Sequence, residues 1–169
     1  ASSAVGWSLP YGDSSANRFV AGKGTFPKRH ALSIATEVPL RWIVAIPPHG
    51  LAAVDGDGSL WGFEIARGAL AVSARYGSVA SADAPLVVVR IDHDRIGVAL
   101  VAPDGRLLVW SEGTLRAYDV GIRLSRLTRV VPVTFPGRQS QDLLAVAQDG
   151  AVVLIGGLPA GGPRVVWKK

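Results

Sequence analysis

Four oxygen-bearing side chains stand close together in the stretch DGDGSLWGFE, residues 55–64: Asp55, Asp57, Ser59 and Glu64. Carboxylate and hydroxyl oxygens are the ligands that hard cations such as Ca²⁺ prefer. The spacing departs from a calcium-binding loop, because the third ligand position and the glycine are misplaced. Asp55 and Asp57 are therefore weak metal candidates, and a plain turn at Asp57-Gly58 is the favoured interpretation. We expect no metal and no cofactor.

A second candidate is His93, which lies between Asp92 and Asp94 in RIDHDRIG, residues 90–97. On a strand, successive side chains point to opposite faces, so the two aspartates would share a face that the histidine does not. A solvated turn is favoured there, and likewise for His49 in PPHG. No serine-hydrolase elbow, dinucleotide-binding fingerprint or Walker-type phosphate loop occurs in the sequence. We therefore expect no catalytic activity.

Three arginines, Arg123, Arg126 and Arg129, recur at every third residue in VGIRLSRLTRVV, residues 120–131. Guanidinium groups bind phosphates and carboxylates through paired hydrogen bonds, so these arginines are candidate partner-binding residues. A spacing of three alternates faces on an extended chain, and a solvated connector is the favoured alternative. No aromatic residues are interleaved with them, which disfavours nucleic-acid binding.

These stretches belong to a sequence repeat. Three phrases align without a gap on their Asp-Gly pairs: GLAAVDGDGSLWGF (50–63), GVALVAPDGRLLVW (97–110) and DLLAVAQDGAVVLI (142–155). The turn glycines Gly58, Gly105 and Gly150 are 47 and 45 residues apart. This period, with short apolar runs on both sides of a tight turn, is typical of β-propeller blades.

Each repeat can be completed to four strands. First strands are predicted at 39–46, 85–91 and 129–135, and last strands at 70–77, 114–121 and 163–169. No stretch has helical periodicity with caps. The sequence therefore predicts an all-β fold of three four-stranded antiparallel blades, at about 39–84, 85–128 and 129–169, after an irregular lead-in at 1–38.

The lead-in GWSLPYGDSSANRF (6–19) and the blade endings LRAYDVG and RVVWKK resemble the pyrroloquinoline-quinone-like propeller superfamily. The resemblance implies the propeller fold. The dehydrogenases of that superfamily hold a calcium-bound quinone in a complete ring, commonly beside a vicinal-cysteine disulfide, and this chain contains no cysteine. The resemblance is therefore closer to the non-catalytic scaffold members, which bind partners through loops and strand edges.

Three blades do not make a ring, since propellers have roughly four to eight. Either the lead-in completes a small four-bladed ring, or the chain is an open arc completed by another chain or by residues beyond Lys169. The sequence favours the open arc. Such an arc exposes blade faces and strand edges, which proteins normally cover. A protein partner or further blades are therefore expected.

The composition fits a globular, exported protein. Of the 169 residues, 49% are hydrophobic and 18% are charged, and the apolar runs are too short to span a bilayer. The sequence contains no methionine and starts with ASSA, which resembles the residues after a signal-peptidase site. We expect a periplasmic or cell-surface location. The net charge of +5 is typical of an arginine-rich exported protein.

The sequence therefore predicts a non-catalytic, exported scaffold or accessory subunit that binds proteins through propeller loops and blade edges. Two alternatives stay open: a fragment of a quinone- or metal-dependent oxidoreductase, and a carbohydrate-binding propeller.

Overall fold

Twelve β-strands make up the regular structure in the part of the chain that a computed structural model describes, with no helix among them. The described residues are 34, 36–48, 50–67, 69–83, 85–127, 129–158 and 162–169. Most of the predicted lead-in, together with His49, lies outside the described residues.

The strands form three antiparallel sheets, each with its four strands in chain order. The first sheet contains β1 (Leu40–Ile46), β2 (Gly50–Asp55), β3 (Leu60–Ala66) and β4 (Ala69–Tyr76). The second contains β5 (Val87–Arg90), β6 (Ile96–Val101), β7 (Leu107–Ser111) and β8 (Thr114–Tyr118). The third contains β9 (Val131–Val133), β10 (Asp142–Val146), β11 (Val152–Gly156) and β12 (Arg164–Lys168). The predicted fold class, all-β with three four-stranded antiparallel sheets, is confirmed.

Each Asp-Gly pair forms the turn between the two middle strands of its sheet. Gly58, Gly105 and Gly150 have φ values of 77°, 83° and 86°, a region that L-amino acids rarely adopt. Each glycine N–H donates to the carbonyl three residues earlier, at distances of 2.9–3.1 Å. The repeat in the sequence is therefore a repeated hairpin.

The sheets stack side by side in chain order. Strand β1 contacts β5, and β5 contacts β9, so the innermost strands are neighbours. We call the side of a sheet that faces the next sheet its forward face, and the other side its backward face. Two apolar clusters fill the two interfaces: one joins the first sheet to the second, and the other joins the second to the third. In the first two sheets, burial on both sides of the middle strands explains why their sequences lack polar alternation.

The interface between the first and second sheets requires a glycine at position 62. Gly62 of β3 lies against the indole of Trp110 from β7, and a Cβ at Gly62 would be 2.6 Å from two ring atoms. Trp110 is only 7% exposed. Gly62 therefore leaves the space that a large residue of the neighbouring sheet fills.

The links between sheets are bound to the hairpin turns. The Ala80 N–H donates to the Gly58 carbonyl at 2.9 Å, and the Leu124 N–H donates to the Gly105 carbonyl at 2.8 Å. Both linking residues are buried. We call this hydrogen bond from a link to the preceding turn glycine the link–turn contact. It ties each link to the sheet that comes before it.

Candidate functional site

The forward face of the third sheet carries several exposed apolar side chains in the described part of the chain. Direct pairing places Leu144 opposite both Val131 and Leu154, Leu154 opposite Trp167, and Val146 opposite Val152. Directly paired residues of antiparallel strands point to the same side of a sheet. The six residues that define this third-sheet outer face are Val131, Leu144, Val146, Val152, Leu154 and Trp167.

This face is open to solvent. Val131 and Trp167 are each 47% exposed and Val152 is 38% exposed, while the other three residues are half-buried. Val166, in the β12 bulge beside Trp167, is 51% exposed. Contiguous exposed apolar patches of this kind mark interaction surfaces on folded proteins.

One end of the third-sheet outer face carries a buried charge. Asp142, at the start of β10, is 2% exposed, and its Oδ2 accepts a hydrogen bond from Arg138 Nη1 at 2.7 Å. The Arg138 guanidinium is about half exposed and also lies over the Phe135 ring, 5.6 Å from its centroid. The buried carboxylate is thus neutralised from the solvent side by a cation that is itself accessible.

Asp55, a weak metal candidate, has a structural role in the first hairpin. Its carboxylate is fully buried, with Oδ1 accepting from the N–H groups of Asp57 (2.9 Å) and Ser59 (2.8 Å). Its Oδ2 accepts from the Trp61 indole N–H at 2.8 Å. Both oxygens therefore already receive N–H donors, which repel a cation. Within the described residues, no three His, Asp or Glu side chains are grouped to hold a metal ion.

The neighbouring Asp57 differs from the other turn aspartates. Asp104 and Asp149 each accept a backbone N–H two residues later, at 3.1 Å and 3.0 Å. In the first hairpin the corresponding N–H, that of Ser59, donates to Asp55, and Asp57 is exposed. The interpretation of Asp57 as the residue that forms the first turn is therefore incomplete. The available signal was that Asp55 and Trp61 occur together only in the first repeat.

Replacing Asp55 by alanine is expected to lower the free energy of unfolding by about 2–3 kcal/mol, because the buried Trp61 N–H loses its acceptor. Asp57→Ala is the matched control, and we expect a change within about 0.5 kcal/mol. Urea denaturation measures both values. A calcium site would instead give comparable losses and a melting temperature that rises with added Ca²⁺.

The stability of the fold is expected to fall in acid. Burial alone raises the pKa of Asp55, but the hydrogen bonds from Trp61, Ser59 and Asp57 together outweigh it and lower the pKa from 3.8. A carboxyl whose pKa is lower in the folded state stabilises the fold above its unfolded pKa, and this contribution is lost as the pH falls through the folded value. We expect the melting temperature to drop below about pH 4. Circular dichroism melts of the wild type and Asp55→Asn measure it, and an equally steep decline in both would exclude Asp55 as a major contributor.

The solved structures that are similar to this chain include the WD40 domain of SCAP from fission yeast. It matches 77% of this chain with a TM-score of 0.47 and 13% sequence identity. The chain spans 32% of that domain's length. No protein-family model and no curated protein matches the sequence.

The three four-stranded sheets, stacked with their first strands as neighbours, are arranged as propeller blades. The chain has a β-propeller-type repeat fold. The finer resemblance to the pyrroloquinoline-quinone-like superfamily stays a prediction.

The three predicted partner-binding arginines lie in the link between the second and third blades. The Arg123 carbonyl accepts the Gln148 N–H at 2.9 Å, and the Ser125 N–H donates to Val146 at 2.7 Å. The link therefore also pairs with the hairpin of the third blade. It is more than a solvated connector, because it joins two blades.

The side chains of these arginines have different surroundings. Arg123 is 3.8 Å from the Asp119 carboxylate, and both groups are exposed, so this ion pair adds little stability. Arg126 is exposed, whereas Arg129 is half-buried and burial lowers the pKa of its guanidinium. A role of the three in binding a partner stays a prediction.

His93 is exposed in the turn between β5 and β6. Its neighbour Asp92 accepts hydrogen bonds from the Arg95 side chain at 2.6 Å and from the Arg95 N–H at 2.9 Å. The Arg95 side chain, chiefly through its hydrogen bond, lowers the pKa of Asp92. The aspartate thus stabilises a turn and is paired with an arginine. No helix in the described part of the chain is long and apolar enough to cross a membrane.

Proposed function

We propose that this chain is a non-catalytic protein-binding module, a scaffold or accessory subunit, that binds its partner through the third-sheet outer face. The observation that carries the proposal is the exposure of Val152, Val131 and Trp167 on one continuous sheet face. Exposed valines and a tryptophan contribute large apolar area to a protein interface.

The polar surroundings of this face support a specific contact. Arg138 is accessible beside the apolar residues and is held in place by the buried Asp142. Lys168, at the end of β12, is paired with Asp149 at 2.7 Å. An apolar centre with charged groups at its edge is the usual organisation of a protein–protein interface.

The acidic groups that suggested catalysis support the same proposal. Asp55 and Asp92 each accept hydrogen bonds from N–H groups of their own chain. Carboxylates used in this way stabilise turns and strands, and they are poor general bases because their pairing favours the charged form.

Site-specific photo-cross-linking in the native host tests the proposal. A photoreactive residue at Val152 is expected to form a covalent adduct with a protein partner. The same residue at Val72, a valine of β4 that is 45% exposed, serves as the matched control and is expected to give no adduct.

Two results would contradict a non-catalytic binding module. The first is the absence of an adduct at both Val152 and Trp167, combined with a native particle that contains one copy of this chain alone. The second is a bound quinone or tightly held calcium in the purified native particle, which would support the oxidoreductase alternative.

A further inference from the structure

The forward faces of the three blades carry apolar residue pairs at corresponding positions. In the first blade Val54 pairs with Leu60, and in the second Val101 pairs with Leu107. The corresponding pair in the third blade is Val146 with Val152. All three pairs lie at the same distance from their turn glycine, so the faces can be compared position by position.

The same position is buried in two blades and exposed in the third. Leu60 and Leu107 are each 0% exposed, because the next blade packs on them. Val152, at the corresponding position, is 38% exposed. The third-sheet outer face therefore has the composition of a surface between blades, but no blade covers it among the described residues.

Within the described residues, the third hairpin has no link–turn contact. Gly58 and Gly105 each accept an N–H from the link that leads to the next blade. Within the described part of the chain, no backbone N–H donates to the Gly150 carbonyl, and no atom lies within 4 Å of the position that a Cβ of Gly150 would take. A free carbonyl at the same position of the hairpin is a second, independent sign that a following blade belongs there.

We propose that the third-sheet outer face is the docking surface for a further β-blade carried by a partner chain, whose link donates a backbone N–H to the Gly150 carbonyl. This inference rests on the proposed protein-binding function and names the partner's structural class. It continues the two interfaces already present within the chain.

The occupant is a different chain and not a second copy of this one. A second copy would have to offer the backward face of its first blade. The middle strands of that face are already covered, since Ala53 is 0%, Trp61 6% and Phe63 3% exposed. The exposed residues of the face, such as Ile43 (55%) and Val72 (45%), lie on its first and last strands. Arg75 lies over the Trp61 ring at 4.3 Å and contributes to this cover.

The side chains of the third-sheet outer face also limit the size of the residues that a partner blade can place against it. Gly62 leaves room for Trp110 at the first interface, whereas the corresponding residue of the third blade is Leu154. A bulky indole would collide with Leu154. The partner should therefore present a smaller apolar residue at this position, as the third blade itself does with Ile155.

A blade of known sequence serves as the probe. A second copy of residues 119–169, which contains the link and the third blade, is added after Lys169 of the full chain. We expect the Leu124 amide of the added copy to exchange with solvent at least about tenfold more slowly than the same amide in an unfolded peptide, because it donates to Gly150. We also expect the original Trp167 to become less accessible to acrylamide quenching.

Two substitutions, one in the original third blade and one in the first blade, test whether the added blade packs on the third-sheet outer face. Val152→Lys is expected to abolish the protection of the added Leu124 amide, since it places a charge in the new interface. Val72→Lys, a matched change at an exposed valine of the first blade, is expected to leave that protection unchanged. Two results would overturn the proposal. In the first, the added Leu124 amide exchanges freely although Val152 is intact. In the second, that amide stays protected from exchange in the Val152→Lys variant.

The result can be separated from the test of the protein-binding function. A partner that cross-links at Val152, combined with an added blade that does not pack, would retain the protein-binding function and overturn the blade inference. A native particle of two copies that Val152→Lys dissociates would identify a second copy as the occupant, and would likewise overturn the blade inference alone.

Discussion

Replacing Gly58 by alanine is expected to lower the free energy of unfolding by about 3 kcal/mol, the largest loss among the substitutions considered for this chain. Gly58 has a φ of 77°, and a Cβ there would collide with the backbone carbonyl of Ala80. The same link residue donates its N–H to the Gly58 carbonyl. The alanine side chain would therefore both strain the turn and push away the link to the second blade.

Gly150→Ala separates these two effects. Gly150 has a similar φ of 86°, but no described atom is close to the position of its Cβ. We expect this variant to lose only about 1 kcal/mol, the cost of the left-handed backbone. Urea denaturation followed by circular dichroism measures both losses. Equal losses would mean that backbone strain alone explains the effect and that the link–turn contact adds nothing.

Replacing Gly62 by alanine is expected to lower the free energy of unfolding by about 2 kcal/mol, through overpacking of the interface between the first two blades. The new methyl group would be 2.6 Å from Cη2 and Cζ2 of Trp110. The indole is buried, and its Nε1 has no hydrogen-bond partner among the described residues, so only packing holds it in place.

A double-mutant cycle tests this contact. Trp110→Leu is expected to be less damaging in the Gly62→Ala background than in the wild type, because the smaller leucine relieves the clash that Gly62→Ala creates, with a coupling of about 1 kcal/mol. Gly77→Ala is the control, since no atom lies within 4 Å of its Cβ position and its φ is not left-handed. Additive losses would show that Gly62 and Trp110 do not compete for space.

The two ends of the arc differ in how much of their outer face is buried. The forward face of the third blade is open, as the open-arc interpretation predicts for that end. On the backward face of the first blade the middle strands are buried, whereas Ile43 and Val72 on the outer strands are 55% and 45% exposed. The alternative in which the lead-in supplies a fourth sheet falls on residues outside those described, and it stays a prediction, as does export.

The hairpins were accessible to sequence reasoning because their causes are local. Gly105 follows Asp104 between two apolar runs, and this combination specifies a tight turn wherever the chain places it. Strand boundaries followed from the same pattern, as with β1 and β12, which begin one residue later than predicted. The alignment of the repeats then provided the number and order of the strands.

The roles of individual side chains were harder to predict. Asp55 is a weak metal candidate by residue type alone, since its spacing does not match a calcium-binding loop, and only the fold brings the Trp61 indole N–H to its carboxylate. The spacing of the three arginines predicts a binding set, which stays a prediction, and the fold shows in addition that the backbone of their link joins two blades.

The sequence by itself determined the repeat, the three hairpins and the all-β class, because turns and strand patterns depend on residues close together in the chain. Only the tertiary structure decided which faces are buried, since burial depends on residues far apart, such as Gly62 and Trp110. Val152 belongs to the same repeat position as Leu60 and Leu107 and is also apolar, but no blade covers it among the described residues. That difference, which no local pattern encodes, makes the third-sheet outer face the candidate binding surface.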